Sequence, residues 1–289
     1  MNIADLSTFL AVAESGSFSH AAERSFLTQP AVSKRVAALE AELGARLFDR
    51  VGRRVQLTPT GSALLPQARA ILDGVEEAKR RITALSLEIA GPLRLGTSYH
   101  VGLHRLPTAL RQFYTAHPRV QLDLRFMDSE AACTAVEHGE LDLAVVTLPR
   151  GPNPRLRQEK IWDDPLEIVV SPAHPLAAHR TLSLQALAEY PAILPVPGAT
   201  TRELVLAALA PIRRQLRIGL ETNYLELIKM LVSIGLGWSA LPYTLIDDNL
   251  KVVQIEEIRI VRELGVVTHA ARTLSNAAAA IIEAIRTTR

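Results

Sequence analysis

Two groups of residues in this chain have the types and spacing to do chemistry. In the first, Gln29, Pro30, Ser33, Lys34 and Arg35 fall within seven residues, and Arg50, Arg53 and Arg54 follow. A Gln amide matches the donor–acceptor pair of adenine, Lys and Arg reach guanine, and a Ser hydroxyl bonds a base or a phosphate. Residues 24–54 carry seven Lys and Arg against three acids, a local balance of +4 in a chain of net charge +2. Such a run fits a solvated face as well as a nucleic-acid footprint, so the shape that carries it decides. The second group is mostly neutral: Thr97, Ser98 and His100, then Thr147, then Thr200, Thr201 and Arg202, then Asn223. Hydroxyls and amides beside free helix N–H groups suit a polar or anionic small molecule.

The elements around the first group are short and helical. Leu6, Phe9, Leu10 and Ala13 recur at helical spacing and predict a helix over 3–14, stopped by Gly16. Ser17 caps a second helix over 18–25, with Ala21 and Ala22 inward. After the turn Phe26-Leu27, Thr28 caps a third helix with Pro30 in its first turn. Its inner stripe is Val32, Val36, Leu39 and Leu43, and Gly44 ends it. Two helices on a tight turn with small residues at the crossing describe a helix-turn-helix, with Gln29 to Arg35 on the outward face of its second helix. Strands at 47–50 and 55–57 with Arg53 and Arg54 at the tip form a hairpin wing, and a cationic tip suits a narrow minor groove.

These residues resemble the DNA-binding domain of the LysR-type transcriptional regulators. The likeness covers residues 1–61 and rests on Phe9, Ser17, Ala21, Ala22, Gln29, Pro30, Ala31, Ser33, Leu39, Glu40, Leu43, Gly44, Leu47, Phe48, Arg50, Thr58, Pro59, Thr60 and Gly61. The set is specific, although each dipeptide in it is weak. The chain departs from the family at Lys34, where Arg is frequent, and at Phe26, bulkier than usual in the turn. The resemblance implies DNA contacts from Ser17, Thr28, Gln29, Pro30, Ser33, Lys34, Arg35, Arg50, Arg53 and Arg54.

Beyond residue 58, Leu64, Ala68, Ile71, Val75, Ala78, Ile82 and Leu85 repeat with heptad spacing. The seam is narrow for a core-facing helix and reads as a pairing face between two chains. Pro66 either kinks this helix or marks its true start. In the family it is the linker that pairs two chains, and pairing presents two reading helices to a two-fold target. Gly91-Pro92 then breaks the chain.

From there strands and helices alternate, which implies parallel sheets in an α/β fold. Strands are expected at 93–96, 120–126, 141–146, 166–170, 192–196 and 216–220. Helices are expected at 101–116, 129–138, 184–189, 201–210, 223–234 and 274–287. Ligands in such folds bind beyond the carboxyl ends of strands, which selects the second group. Thr200 and Asn223 read equally well as plain helix caps, Asn223 with Glu226 as a capping box. The family has two α/β subdomains like those of periplasmic binding proteins, joined by two crossing strands, here near 161–166 and 260–269. The implied divisions are 1–58 for the winged helix-turn-helix, 59–90 for the linker helix and 91–289 for the effector domain. Subdomain I would be 91–162 plus 266–289, and subdomain II 163–265. By resemblance Ser98, His100, Thr147 and Thr200 fall where the family holds effectors; His100 would add a charge switch near pH 6–7.

Other patterns carry less. Gly235-Leu236-Gly237 follows a helix and precedes a strand, the reverse of a dinucleotide site. Gly96-Thr97-Ser98 lacks the second glycine of a nucleophile elbow. His100 and His104 sit four apart without an obvious third metal ligand, so no metal and no cofactor are expected. Cys133 is alone, which excludes an internal disulfide and reads as an inert buried thiol. An acidic N-terminal start argues against a secretory signal, and no long uncharged apolar run argues for a membrane span. The expected protein is a cytoplasmic, bacterial-type regulator. Its partners would be double-stranded promoter DNA, a small-molecule effector, a second or fourth copy of itself and, if it activates, RNA polymerase. A solute-binding protein would lack the DNA head, and an enzyme would need a convergent catalytic set that is absent.

Overall fold

The computed structural model describes the chain apart from residues 52, 53, 85–88, 180, 256, 257 and 289; the side chains of residues 50, 51, 54, 76, 77 and 79–84 are also outside the description. It forms two compact units, Met1–Leu85 and Ser86–Arg289. The first unit contains α1 (Ile3–Ser15), α2 (Phe18–Arg24), α3 (Gln29–Leu43), the hairpin β1 (Phe48–Val51) and β2 (Arg54–Leu57), and α4 (Pro59–Ala84). Asn2 caps α1 through its side chain, and Gly16 and Gly44 end α1 and α3 in the left-handed conformation, with φ of 62° and 65°. Only glycine takes that conformation without strain.

Leu6, Phe9, Val12, Ala21, Val32, Val36, Leu39 and Leu47 form the core of this unit. Phe48 of β1 lies 5.3 Å from Phe9 and 5.8 Å from Phe18, ring centre to ring centre. Several family residues have local physical duties. Glu40 accepts hydrogen bonds from the backbone N–H of Leu47 and Phe48, tying α3 to the start of the wing. Thr58 donates to the Arg46 carbonyl and accepts from Gly61 N–H, which seats α4 against the wing. A Cβ on Gly61 would sit 2.1 Å from the Leu47 carbonyl oxygen, so no other residue fits there.

The linker helix differs from expectation in two ways. It starts at Pro59 and runs through Pro66, so Pro66 does not mark its start. Ala68 is fully buried in the core of its own unit, and Leu64, Leu65 and Leu72 pack on that core. The first part of the heptad seam is therefore spent inside one chain. Ile71 and Ala78 remain exposed, and the Ile82 and Leu85 side chains lie outside the described residues.

The second unit begins with β3 (Gly91–Thr97), α5 (Tyr99–His104), α6 (Pro107–Ala116), β4 (Val120–Phe126), α7 (Ser129–Glu137), β5 (Leu143–Thr147) and the long β6 (Leu156–Val170). It continues with α8 (Leu184–Ala188), β7 (Ala192–Leu194), α9 (Thr200–Ala208), β8 (Ile218–Glu221), α10 (Leu225–Ser233), β9 (Ser239–Pro242), β10 (Lys251–Val252), β11 (Ile260–His269) and α11 (Asn276–Thr287). The single helix expected over 101–116 is two helices. Arg105 and Leu106 separate them, and Pro107, which lacks an N–H, opens the second.

Strands β4, β3 and β5 pair in parallel, as the alternation implies. Strands β6 and β11 run antiparallel to each other along ten paired positions, from Leu166 opposite Ile260 to Leu156 opposite His269. Both strands serve two cores. Ile161, Trp162, Leu264 and Val266 belong to a core with β3, β5, α6 and α11. Leu166, Ile168 and Ile260 belong to another with β7, β9 and α9. These are the two lobes, I and II, and β6 and β11 are the ribbon between them. Among the described residues no helix is long and apolar enough to cross a membrane.

Candidate functional site

The candidate reading face is the N-terminal half of α3. Thr28, Gln29, Pro30 and Lys34 are exposed and Ser33 half-buried, so this half of the helix is open to solvent. Gln29 Nε2 donates to Ser33 Oγ at 2.9 Å, one turn apart, which holds the amide along the helix. Thr28 makes no capping hydrogen bond, so its hydroxyl is uncommitted. Arg35 turns the other way: it is half-buried and reaches Thr8 of α1 at 3.5 Å. Ser17 caps α2 by accepting from His20 N–H. Arg53 lies outside the described residues, as do the side chains of Arg50 and Arg54. Phe26 is 98% exposed and holds a left-handed φ of 53° in the turn just before α3. At that exposure its ring takes no part in the core of the unit.

In the second unit the lobes meet over a cavity of about 50 Å³. Ser98, His100, Thr147, Thr200, Thr201 and Asn223 all line it. Thr97 does not: it is fully buried and its hydroxyl donates to the Val145 carbonyl at 2.8 Å, joining β3 to β5. Arg202 does not either, because it binds the Pro195 carbonyl and Glu221 within lobe II. Neither Thr200 nor Asn223 is a cap. The caps of α9 and α10 are Ala199 and Tyr224, neither with a side-chain capping bond. Asn223 instead accepts from Val196 N–H and donates to Asp128. Glu226 bonds His104 at 3.1 Å, so no capping box forms.

Charged residues that the sequence reading passed over carry much of this site. Asp128, Ser129 and Glu130 line the cavity and follow β4 directly. The rule that selected Thr97 and Thr147 at strand ends finds them too. Arg262 and Asp164 sit inside the crossing strands, among other charged residues that gave no local signal of burial. Asp164 is wholly buried and lies between two guanidinium groups, 2.7 Å from Arg262 Nε and 2.8 Å from Arg105 Nη2. The trio holds one carboxylate and two guanidiniums. Arg262 Nη2, Arg105 Nε and His100 Nδ1 are buried without a hydrogen-bond partner.

His100 does not act as a charge switch. Burial foremost, then the positive charge of Arg262, pushes its ring down to about 2. Its Nε2 lies 3.9 Å from Asp164, but a neutral ring makes no ion pair across that gap. His100, His104 and Glu226 bring metal-ligating atom types within 4.8 Å of one another, so lobe II supplies the third group that helical spacing alone lacked, although Glu226 is engaged with His104 at 3.1 Å. Cys133 is buried and its thiol is pushed up to about 12 by desolvation and Glu130, which leaves it protonated and unreactive.

Comparison with known proteins places both halves. Residues 3–62 match the family described as bacterial regulatory helix-turn-helix protein, lysR family, and residues 87–289 match the LysR substrate binding domain. A probable RuBisCO transcriptional regulator of Synechocystis is 31% identical over 288 residues, covering 95% of this chain and 83% of that one. An uncharacterized HTH-type regulator of Azotobacter vinelandii is 58% identical over 107 residues, 37% of this chain and 74% of its own. Among solved structures, a full-length OxyR variant from Pseudomonas aeruginosa superposes with a TM-score of 0.73 at 25% identity, covering 99% of this chain and 95% of that one. CbnR complexed with its target DNA shares the fold at TM-score 0.67 and 22% identity, with each chain covered in full. An exposed reading helix in one unit, a polar inter-lobe cavity in the other and family matches to both make this chain a LysR-type transcriptional regulator.

Proposed function

We propose that the exposed half of α3 reads base edges in the major groove, with Gln29, Ser33 and Lys34 supplying specificity and Thr28 and Pro30 fixing the approach. The observation that carries this is the open face itself: polar side chains on a helix whose opposite side is fully committed to the core. Arg50, Arg53 and Arg54 of the wing serve the phosphates and the minor groove. Ser17 and Arg35 hold the motif in shape, Ser17 by capping and Arg35 against α1. Two chains pair along α4 through the heptad positions from Ile71 onward, of which Ile71 and Ala78 are exposed, as a dimer or a dimer of dimers.

The effector is a small molecule bound in the inter-lobe cavity. It acts by favouring one lobe arrangement over another, and so one spacing of the reading helices. QuiR, whose effector domain was solved in complex with shikimate, shares this fold at TM-score 0.62 and 24% identity over 68% of this chain and 96% of that one. The protein works in the cytoplasm, catalyses no reaction, and meets RNA polymerase where it activates. Selection of duplexes from a random library at physiological salt tests the DNA reading. A two-fold symmetric sequence should emerge and be bound far more tightly than random DNA. Failure of any sequence to enrich would overturn it.

A further inference from the structure

The inter-lobe cavity already has an occupant. The carboxylate of Glu130, from the start of α7 in lobe I, accepts two hydrogen bonds from Thr200 of lobe II, from its backbone N–H and from its hydroxyl, each 2.7 Å. Thr200 is the first residue of α9, and Ala199 before it offers no side-chain cap. The positive end of α9 is therefore capped across the cleft by a side chain of the other lobe. Beside it Asp128 makes a second contact across the cleft, accepting from the Asn223 side-chain amide at 2.9 Å. With these contacts made, about 50 Å³ remains, room for roughly three to five waters.

A second, independent feature shows what belongs there. Arg262 lines the same cavity, is 3% exposed, and has no partner for Nη2. Its Nε is bound to Asp164, and its Nη1 donates to Thr201, the next residue of α9. Arg105 shares Asp164, so the trio of Arg105, Asp164 and Arg262 has a net charge of +1, and the acids nearest to it, Glu226 beside Arg262 and Glu130 and Asp128 on the cavity wall, make no ion pair with Arg262 Nη2. His100, being neutral, adds no charge of its own. Buried excess charge of this kind is costly until a counter-charge arrives.

We infer that Glu130 is a tethered stand-in for the effector, and that the effector is a small oxyanion or carboxylate that displaces it from the N-terminus of α9 and takes up Arg262 Nη2. This deepens the proposed function and rests on the cleft being the effector site. Displacement also breaks a lobe-to-lobe contact, so binding and lobe arrangement are one event. The two headgroups share their chemistry, and the probes separate them: sulfate for a tetrahedral oxyanion, acetate for a carboxylate.

The test is calorimetric titration of sulfate, acetate and ethylammonium into the full-length protein, wild type and Glu130→Ala, with thermal unfolding of each. Removing the internal competitor should tighten sulfate or acetate binding at least about tenfold. The isosteric Glu130→Gln, which keeps an acceptor but no charge, should fall between, and it carries the test if the alanine variant does not fold. Equal affinity within twofold in wild type and variants overturns the inference. So does ethylammonium binding that is lost in Glu130→Ala, which would make Glu130 part of a seat for a cation. Binding of the library-selected duplex is measured alongside. Intact DNA recognition with unchanged anion affinity removes the stand-in and leaves the regulator reading. Loss of recognition by the wild type removes the regulator reading.

Discussion

The two units place their polar chemistry in opposite ways. In the first, the proposed base-reading residues of α3 are exposed or half-buried, lie within one helix turn or two, and add little to stability. In the second, the polar residues around the cleft are buried or half-buried, come from elements far apart in sequence, and hold the lobes together. Surface chemistry can change without endangering the fold, whereas the cleft cannot lose a charge without unbalancing its neighbours. A protein that must evolve new DNA targets and keep a stable sensor gains from that division.

Four substitutions press on this contrast. The largest effect is expected at Asp164. Asp164→Asn takes the shared carboxylate from the buried Arg262 and the half-buried Arg105, which should cost about 3–5 kcal/mol. Calorimetry should show the C-terminal unit melting lower and the N-terminal unit unmoved; a joint shift would sink the division. Next are Ser33→Ala and Lys34→Ala, each expected to remove about 1–3 kcal/mol of preference for the selected duplex over random DNA. Stability should stay within about 0.5 kcal/mol, since neither side chain belongs to the core. Arg53→Ala should instead weaken all duplexes alike and flatten the salt dependence by about one unit.

His100 gives a pH signature. The folded ring stays neutral down to about 2 while the unfolded ring titrates near 6.5. The unfolded state therefore binds more protons below 6.5, and stability falls as pH drops through that value while staying flat above it. The cost is about 2 kcal/mol at pH 5 and nearly nothing at pH 7.5. Denaturant titrations of wild type and His100→Gln at the two pH values should differ by that amount; a difference independent of pH would refute the buried neutral ring. The smallest effect is at Phe26, where Phe26→Gly relieves a left-handed backbone and should raise the midpoint of the N-terminal unit by about 1 kcal/mol or less. If Phe26→Gly and Phe26→Ala behave alike, the turn is not strained.

Legibility in the sequence followed the same line. The helices of the first unit were readable because every signal is local: Ser17 as a cap, Gly16 and Gly44 as stops, apolar stripes at helical spacing. The strand-end rule found six of the eight proposed cleft residues. It missed the partners that give them meaning, because Glu130 meets Thr200 across seventy positions and Asp164 meets Arg262 across ninety-eight. No spacing in a single sequence encodes such pairs. The heptad seam misled for a related reason: Ala68 satisfies a periodic pattern equally well by facing its own core.

The ribbon of β6 and β11 has a consequence for how the protein is made. Lobe II is inserted between these two strands, and lobe I is completed only by β11 and α11. At a synthesis rate of about 5–20 residues per second, roughly 90 residues of lobe II take about 5–20 s to emerge between them. During that interval β6 lacks its main partner, and the inner face of α6 lacks α11. Lobe II, whose residues are contiguous, can fold first and bring the two strands side by side. The sensor is then closed by its last piece, and truncation or stalling before residue 260 would strand lobe I as an open sheet edge, the kind of surface that chaperones and proteases recognise.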